Sequence, residues 1–250
     1  MKLALLTDIH ANIQGFEACL EHARIRGADQ IALLGDYVGY GADPVAVLER
    51  AMQLAGQGAW LIKGNHDAMA INPPLVPRTL GDSTAAWTHA QLSASHRAFL
   101  QKLPLIQQVD SVLLVHASPE APQDWIYVYE ETAACDSLDA VAETKGVHQV
   151  FVGHVHMQSL YQRDVTGLVQ KVEIKPGIAY KLPPPGHWLA TVGSCGQPRD
   201  GDVRAMYAIF DTGLQQITWY RVDYDYLEAA SAIRSAGLPH WLAQRLEMGR

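Results

Sequence analysis

Up to Ile62 the chain alternates strand and helix patterns, and this alternation limits its fold more than any other feature. Residues 2–7 form an apolar run of the length of one buried strand, which breaks at Asp8. Ile13, Phe16, Leu20 and Ala23 then recur at helical spacing, predicting a helix from about Asn12 to Arg26 that stops at Gly27. A second strand, Gln30–Leu34, ends at Gly35-Asp36. Asp43-Pro44 supplies a capping residue and a first-turn proline for the next helix, whose apolar face is Val47, Leu48, Ala51 and Leu54. A third strand, Ala59–Ile62, runs into Gly64-Asn65-His66-Asp67. Elements in this order need parallel crossovers and so an α/β layered core.

The grammar then changes. Residues 71–77 read as a proline-rich loop and 83–103 as a helical insert carrying Trp87, Ala90, Leu92 and Phe99. Short β-like runs follow at 112–115, 149–152, 159–162, 168–174, 189–192, 205–210 and 216–222, joined mostly by turns, which predicts hairpins and a more antiparallel sheet. Residues 226–246 read as helical with a break at Gly237-Leu238-Pro239. Two β-rich halves in one chain predict two sheets packed face to face with helices outside, in one domain spanning residues 1–250. Trp241, Leu242 and Leu246 serve either this core or a dimer partner.

Composition excludes several classes. A net charge of −7 argues against a nucleic-acid-coating surface. Cys19, Cys135 and Cys195 are far apart and form no C-x-x-C pair, which fits a reducing, cytoplasmic setting without a zinc knuckle. No run has the length of a membrane span, and Asp8 interrupts the first apolar run too early for a signal peptide.

What stands at the strand ends carries the chemistry. Asp8 and His10 follow the first strand, Asp36 the second, Asn65 and His66 the third; His116 follows 112–115, and His154 with His156 follows 149–152. Singly these residues have plainer readings: Asp8 as a helix cap, His116 as an edge histidine, Gly64–Asp67 as a turn. Yet five of the eleven histidines occupy these ends, and the carboxyl ends of strands in an open α/β sheet line one crevice. The donors exceed what one ion with an open position can use and fit two ions about 3.5–4 Å apart sharing a carboxylate. Mixed imidazole, carboxylate and amide donors suit Mn, Fe, Ni, Co or Zn better than Ca or Mg. Two such ions also bind phosphate oxygens without a basic patch.

Asp8-x-His10, Gly35-Asp36, Gly64-Asn65-His66-Asp67, Val115-His116 and Gly153-His154-x-His156 resemble, in order and spacing, the five blocks of the calcineurin-like metallophosphoesterases. The resemblance implies a four-layer α/β/β/α sandwich of two mixed sheets and a dimetal site, with Mn and Fe the leading metals. By it Asp8, His10, Asp36 and His156 hold one metal, and Asp36, Asn65, His116 and His154 the other. His66 is then the acid that protonates the leaving group, oriented by Asp67, while metal-bound hydroxide attacks phosphorus and Asn65 joins the ions in stabilising its equatorial oxygens. Asp8–Asn12, Gly35–Gly41 and Gly196–Asp202 resemble, more narrowly, a small prokaryotic phosphodiesterase branch. Two departures stand out: Gly39, where the wider family often has Asp or Arg, and Thr191-Val192, where the branch usually has Asn-Pro.

The implied substrate is a small phosphoester, with dinucleoside polyphosphates and cyclic nucleotides as examples. Asn12, Tyr40, Trp125 and Arg199 are candidate substrate contacts, although Arg199 has Asp200 and Asp202 beside it as alternative salt-bridge partners. Trp125, Tyr127 and Tyr129 alternate; core packing is the preferred reading and a stacking wall for a nucleobase the functional one. A Ser/Thr protein phosphatase and a non-catalytic metal-binding scaffold are the alternatives. Scaffold members usually lack a ligand or the Asn-His pair, and here all are present.

Overall fold

The computed structural model describes residues 1–250, the Leu80 side chain excepted. In chain order the elements are β1 Lys2–Leu6, α1 Ile13–Ile25, β2 Gln30–Leu33, α2 Pro44–Gly56, β3 Trp60–Leu61, α3 Asn65–Ile71, α4 Leu80–Gln91, α5 Ala94–Lys102, β4 Ile106–Val109 and β5 Val112–Val115. Then come α6 Glu131–Ala140, β6 Gln149–Val152, β7 Gln158–Arg163, β8 Val169–Val172, β9 Ala179–Lys181, β10 His187–Val192, β11 Ala205–Asp211, β12 Gln216–Val222, α7 Tyr226–Ser235 and α8 His240–Met248. Two six-stranded sheets result, ordered β3-β2-β1-β11-β12-β9 and β4-β5-β6-β10-β7-β8. Both are mixed: β1, β2 and β3 run parallel, as do β5, β6 and β10, while β1–β11 and β10–β7 are antiparallel.

The period of two along the strands builds the layers. Leu3 and Leu5 of β1 point into the space between the sheets, where Leu114, Phe151, Phe210 and Trp219 meet them. Ala4 and Leu6 point the other way, against Phe16 and Leu20 of α1 and Val47 and Leu48 of α2. On the second sheet Leu113, Val115, Val150 and Val152 face Ala134 and Leu138 of α6. The chain is the α/β/β/α sandwich that the strand and helix pattern and the family resemblance imply.

Some elements differ from expectation. The insert is two helices, because Leu92 and Ser93 leave the helical conformation and Ser93 caps the second. Edge strands β4 and β9 and helix α6 carry no clear periodicity in the sequence. Leu242 and Leu246 are buried against α7 within the chain, so they offer no face to a partner. Tyr127 and Tyr129 are 48% and 56% exposed, so the core-packing reading of that aromatic segment is wrong.

Candidate dimetal site

The parallel strands stop in register, Leu6 beside Leu33 and Leu33 beside Leu61, so the turns after β1, β2 and β3 emerge side by side. Those after β5 and β6 join them from the second sheet: Gly153 N donates to the His116 carbonyl, and His154 N to Asp8 Oδ2 at 2.8 Å. The backbone does not run extended through these residues. Asp8, His10, Asp36, His154 and His156 all have φ between 50° and 68°. Left-handed backbone at non-glycine residues costs on the order of 1–3 kcal/mol each and persists only where surrounding structure enforces it. The tight turns separate residues two apart, so His154 and His156 join different donor groups rather than chelating one ion together.

Three groups place their donor atoms within 4.8 Å of one another: Asp8, His10 and His156; Asp36, His116 and His154; and His10, Asp36 and His66. Asp36 Oδ1 accepts from His66 N at 2.8 Å, which leaves Oδ2 between His116 Nε2 at 3.3 Å and His10 Nε2 at 3.6 Å. Asp8 is divided likewise. Oδ2 accepts from Thr7 Oγ1 and His154 N, while Oδ1 lies 3.1 Å from His156 Nε2. Asn65 Oδ1 sits 3.2 Å from His116 Nε2.

Main-chain carbonyls aim the imidazoles. His10 Nδ1 meets Val38 O at 3.2 Å, His116 Nδ1 meets Leu34 O at 2.7 Å, and His156 Nδ1 meets Gln197 O at 2.6 Å. A carbonyl only accepts, so each Nδ1 carries the proton and Nε2 is left for the site. His10 and His156 then face each other Nε2 to Nε2 at 3.0 Å, lone pair against lone pair, beside a carboxylate. Asp8 Oδ1 and His154 Nε2 are buried with no hydrogen-bond partner. Buried donors left in that state are costly, and a cation turns the same geometry into ligation, so the residues fit a pair of metal ions.

Ionisation agrees. Burial disfavours charge on the carboxylates, yet the histidines around them hold Asp8 and Asp36 well below the usual range. Burial pushes His156 down to about 3 and His154 to about 4, leaving neutral donors at pH 7. Burial also opposes charge on His116, but Asp36 and Asp8 push it up to about 10, so a metal arriving there displaces a proton.

His66 lies beside the ligand groups, its ring 4.9 Å from that of His10 and 4.3 Å from that of Tyr40. Burial pushes it down to about 3. A Cβ on Gly39 would meet its Nδ1 at 2.5 Å, and one on Gly81 its Cε1 at 2.8 Å. The glycine at position 39 is thus what makes room for the imidazole, and Gly81 brings the helical insert against the site.

Two sequence expectations are corrected, for Asp67 and Asn12, and the alternative salt-bridge reading of Arg199 falls away. Asp67 does not orient His66: Oδ2 accepts from the main-chain N–H of Asp36 at 2.9 Å and Gly64 at 2.8 Å, and Oδ1 from Tyr37 at 2.9 Å. It ties the turn after β2 to the start of α3. Asn12 is not free for substrate, because Oδ1 caps α1 through Gly15 N while Nδ2 donates to Gly196 O and Tyr224 Oη. Asn12 therefore also takes the capping role considered for Asp8. Arg199 has no carboxylate partner among the described residues, since Asp200 pairs with Arg221 and Asp202 with Arg204. Its guanidinium lies 5.7 Å from the Tyr40 ring centroid. Trp125 is half-buried, its ring centroid 5.9 Å from that of His116 in a T-shaped pair, and Tyr127 stacks on His154 at 3.9 Å.

Sequence reasoning missed the supports. Thr7 and the loop after β10 carry no catalytic signature, yet Ser194 Oγ donates to Asp8 O at 2.7 Å and the Gln197 carbonyl aims His156. Thr191 and Val192, the departure from Asn-Pro, belong to β10, and the clamp begins after them.

Comparison with known proteins agrees with this geometry. Residues 1–214 match the family model of the calcineurin-like phosphoesterase superfamily domain. An uncharacterized protein of Methanocaldococcus jannaschii is 32% identical over 99% of this chain and 98% of its own. The crystal structure of a metallophosphoesterase from Sphaerobacter thermophilus is 32% identical, with a TM-score of 0.87 and full coverage of both chains. A hypothetical protein from Pyrococcus horikoshii shares the fold at 20% identity, with a TM-score of 0.79 over 100% of this chain and 98% of that one. The chain belongs to the calcineurin-like phosphoesterase superfamily and is a phosphoester hydrolase.

Proposed function

We infer that the chain is a phosphodiesterase acting on small organic phosphodiesters, nucleotides among them. The observation that carries this is the pair of tyrosines, one beside each donor group. Tyr40 lies 4.7 Å from the His10 ring, and Tyr127, half exposed, covers His154. A phosphoryl group at the shared Asp36 has an aromatic surface on either side, which suits a diester with an organic substituent on each. Arg199, whose guanidinium lies 5.7 Å from the Tyr40 ring centroid, supplies positive charge at the edge of the site for the remainder of an anionic substrate.

Asp8, His10, Asp36 and His156 would hold one cation and Asp36, Asn65, His116 and His154 the other, manganese or iron being suited to this donor set. Bound there, the two ions supply charge to the phosphoryl oxygens and acidify the attacking water. The chain's own part is to expel water, fix the donors and move a proton. His66 is neutral at pH 7 in the free site; an anionic phosphoester beside it raises its affinity for a proton, which it then passes to the leaving oxygen. The free cysteines at 19, 135 and 195 suit a cytoplasmic setting.

The test is hydrolysis of bis-p-nitrophenyl phosphate against p-nitrophenyl phosphate with added manganese. The diester should turn over faster, and His66→Ala should slow substrates with poor leaving groups by about 10²–10⁴-fold with metal content unchanged. Preference for the monoester would reject the diesterase reading. Loss of metal in His66→Ala would make His66 a ligand.

A further inference from the structure

Arg199 and Arg245 are half-buried guanidiniums that meet no carboxylate among the described residues. Arg199 Nη2 donates to the Gln197 side chain at 3.0 Å, and its Nε is buried without a partner. Arg245 belongs to α8, outside the residues matched by the family model, and lies 4.8 Å from the Trp241 ring centroid. Helix α8 reaches the site because Leu242 and Leu246 build an apolar cluster on which both Tyr40 and Trp241 pack. Burial and the charge of Arg199 both disfavour the charged form of Arg245. Like charges held together partly out of water are costly until an anion meets them, and a chain of net charge −7 has turned its own acids elsewhere. Tyr40 links the pair to the chemistry, its ring centroid lying 5.7 Å from the Arg199 guanidinium and 4.3 Å from the His66 ring.

We propose that Arg199 and Arg245 form an anion subsite that receives a second phosphoryl group, so that the favoured substrates carry a diphosphate or longer phosphate chain. One phosphoryl group lies at the donor groups around Asp36 and the next lies on the two guanidiniums. The fork of N–H donors on arginine matches phosphate oxygens, and Trp241 and Tyr40 restrict how the forks turn. Arg245 is then a specificity residue supplied by the C-terminal helix. The proposal rests on the hydrolase reading above, but its test does not use turnover.

Calorimetry of ADP and AMP binding to the manganese-loaded protein, at fixed free metal, isolates the contribution of one phosphoryl group. Wild type should bind ADP about tenfold more tightly than AMP, the worth of one charge-assisted hydrogen bond. Arg245→Gln and Arg199→Gln should each bring that ratio toward one, and Arg245→Lys should keep part of it. Equal binding of ADP and AMP by wild type, or a ratio unmoved in Arg245→Gln, overturns the subsite. Should Arg245→Gln fail to fold, the wild-type ratio decides: it must fall with rising salt, and a salt-independent ratio rejects the proposal. Failure of bis-p-nitrophenyl phosphate hydrolysis would instead remove the diesterase reading and leave this result standing.

Discussion

Replacing Asp67 by Asn separates a structural clamp from a catalytic orienter. Its carboxylate accepts N–H bonds from Asp36 at 2.9 Å and Gly64 at 2.8 Å on one oxygen, and from Tyr37 at 2.9 Å and Val38 at 3.4 Å on the other. An amide of the same shape keeps one acceptor and turns the other into a donor facing two N–H groups. Hydrogen bonds to a charged group are worth about 1.5–3 kcal/mol each, so losing one such pair costs about 3–6 kcal/mol. Burial and the Asp36 carboxylate push Asp67 up to about 7, so removing its charge returns part of this cost in metal-free protein. The measurement therefore belongs to manganese-loaded protein, where cation charge offsets Asp36. Urea unfolding followed by tryptophan fluorescence, with metal content read in parallel, should show a stability loss approaching half that of a typical domain. The reasoning is refuted if Asp67→Asn unfolds within about 1 kcal/mol of wild type while showing the kinetic defect of His66→Ala.

Gly39→Ala should impair His66 without touching a ligand. The added Cβ would lie 2.5 Å from His66 Nδ1 and 3.1 Å from its Cβ, and the backbone there has φ of +88°. Turnover should fall at least about tenfold with metal content unchanged, alongside a stability loss of about 1–3 kcal/mol; turnover within about twofold of wild type refutes the packing argument. Asp202 gives a pH signature away from the site. Chiefly through its hydrogen bonds to Arg204, its carboxylate is held at about 2, so its contribution is present above the unfolded value of about 3.9 and lost as pH falls toward 2. The side chain is 32% exposed, which limits the effect to under about 1 kcal/mol. Urea titrations should show wild type more stable than Asp202→Asn at pH 6 and the two converging in acid; a constant difference would refute the assignment.

Local patterns made much of this molecule legible. The strands of the inner layers are short runs of Leu, Val, Ile and Phe cut off by Gly or a polar residue, and those that lead into the donor residues, β1, β2, β3, β5 and β6, end within a residue of where the apolar runs stop. The donor residues are also legible, because the chemistry of binding two cations restricts which side chains can stand at strand ends. Strands β4 and β9 were not, since each lies at a sheet edge with alternate residues exposed, and edge strands need no apolar period.

The roles of individual polar residues were decided by tertiary structure. Gly64-Asn65-His66-Asp67 announces a polar strand end, but the sequence cannot tell that Asp67 is consumed by main-chain N–H groups 30 and 31 residues away. The same holds for Asn12, which is held by Gly196 and Tyr224, and for Arg199, whose neighbouring acids choose other arginines. The physical reason is one: residue type and spacing record what a side chain can bond to, whereas its actual partners are often backbone atoms, which every residue carries and no sequence marks. What the chain does at phosphorus was therefore written in its residue types, and which side chains remain free to meet the substrate was settled only when the two sheets closed around them.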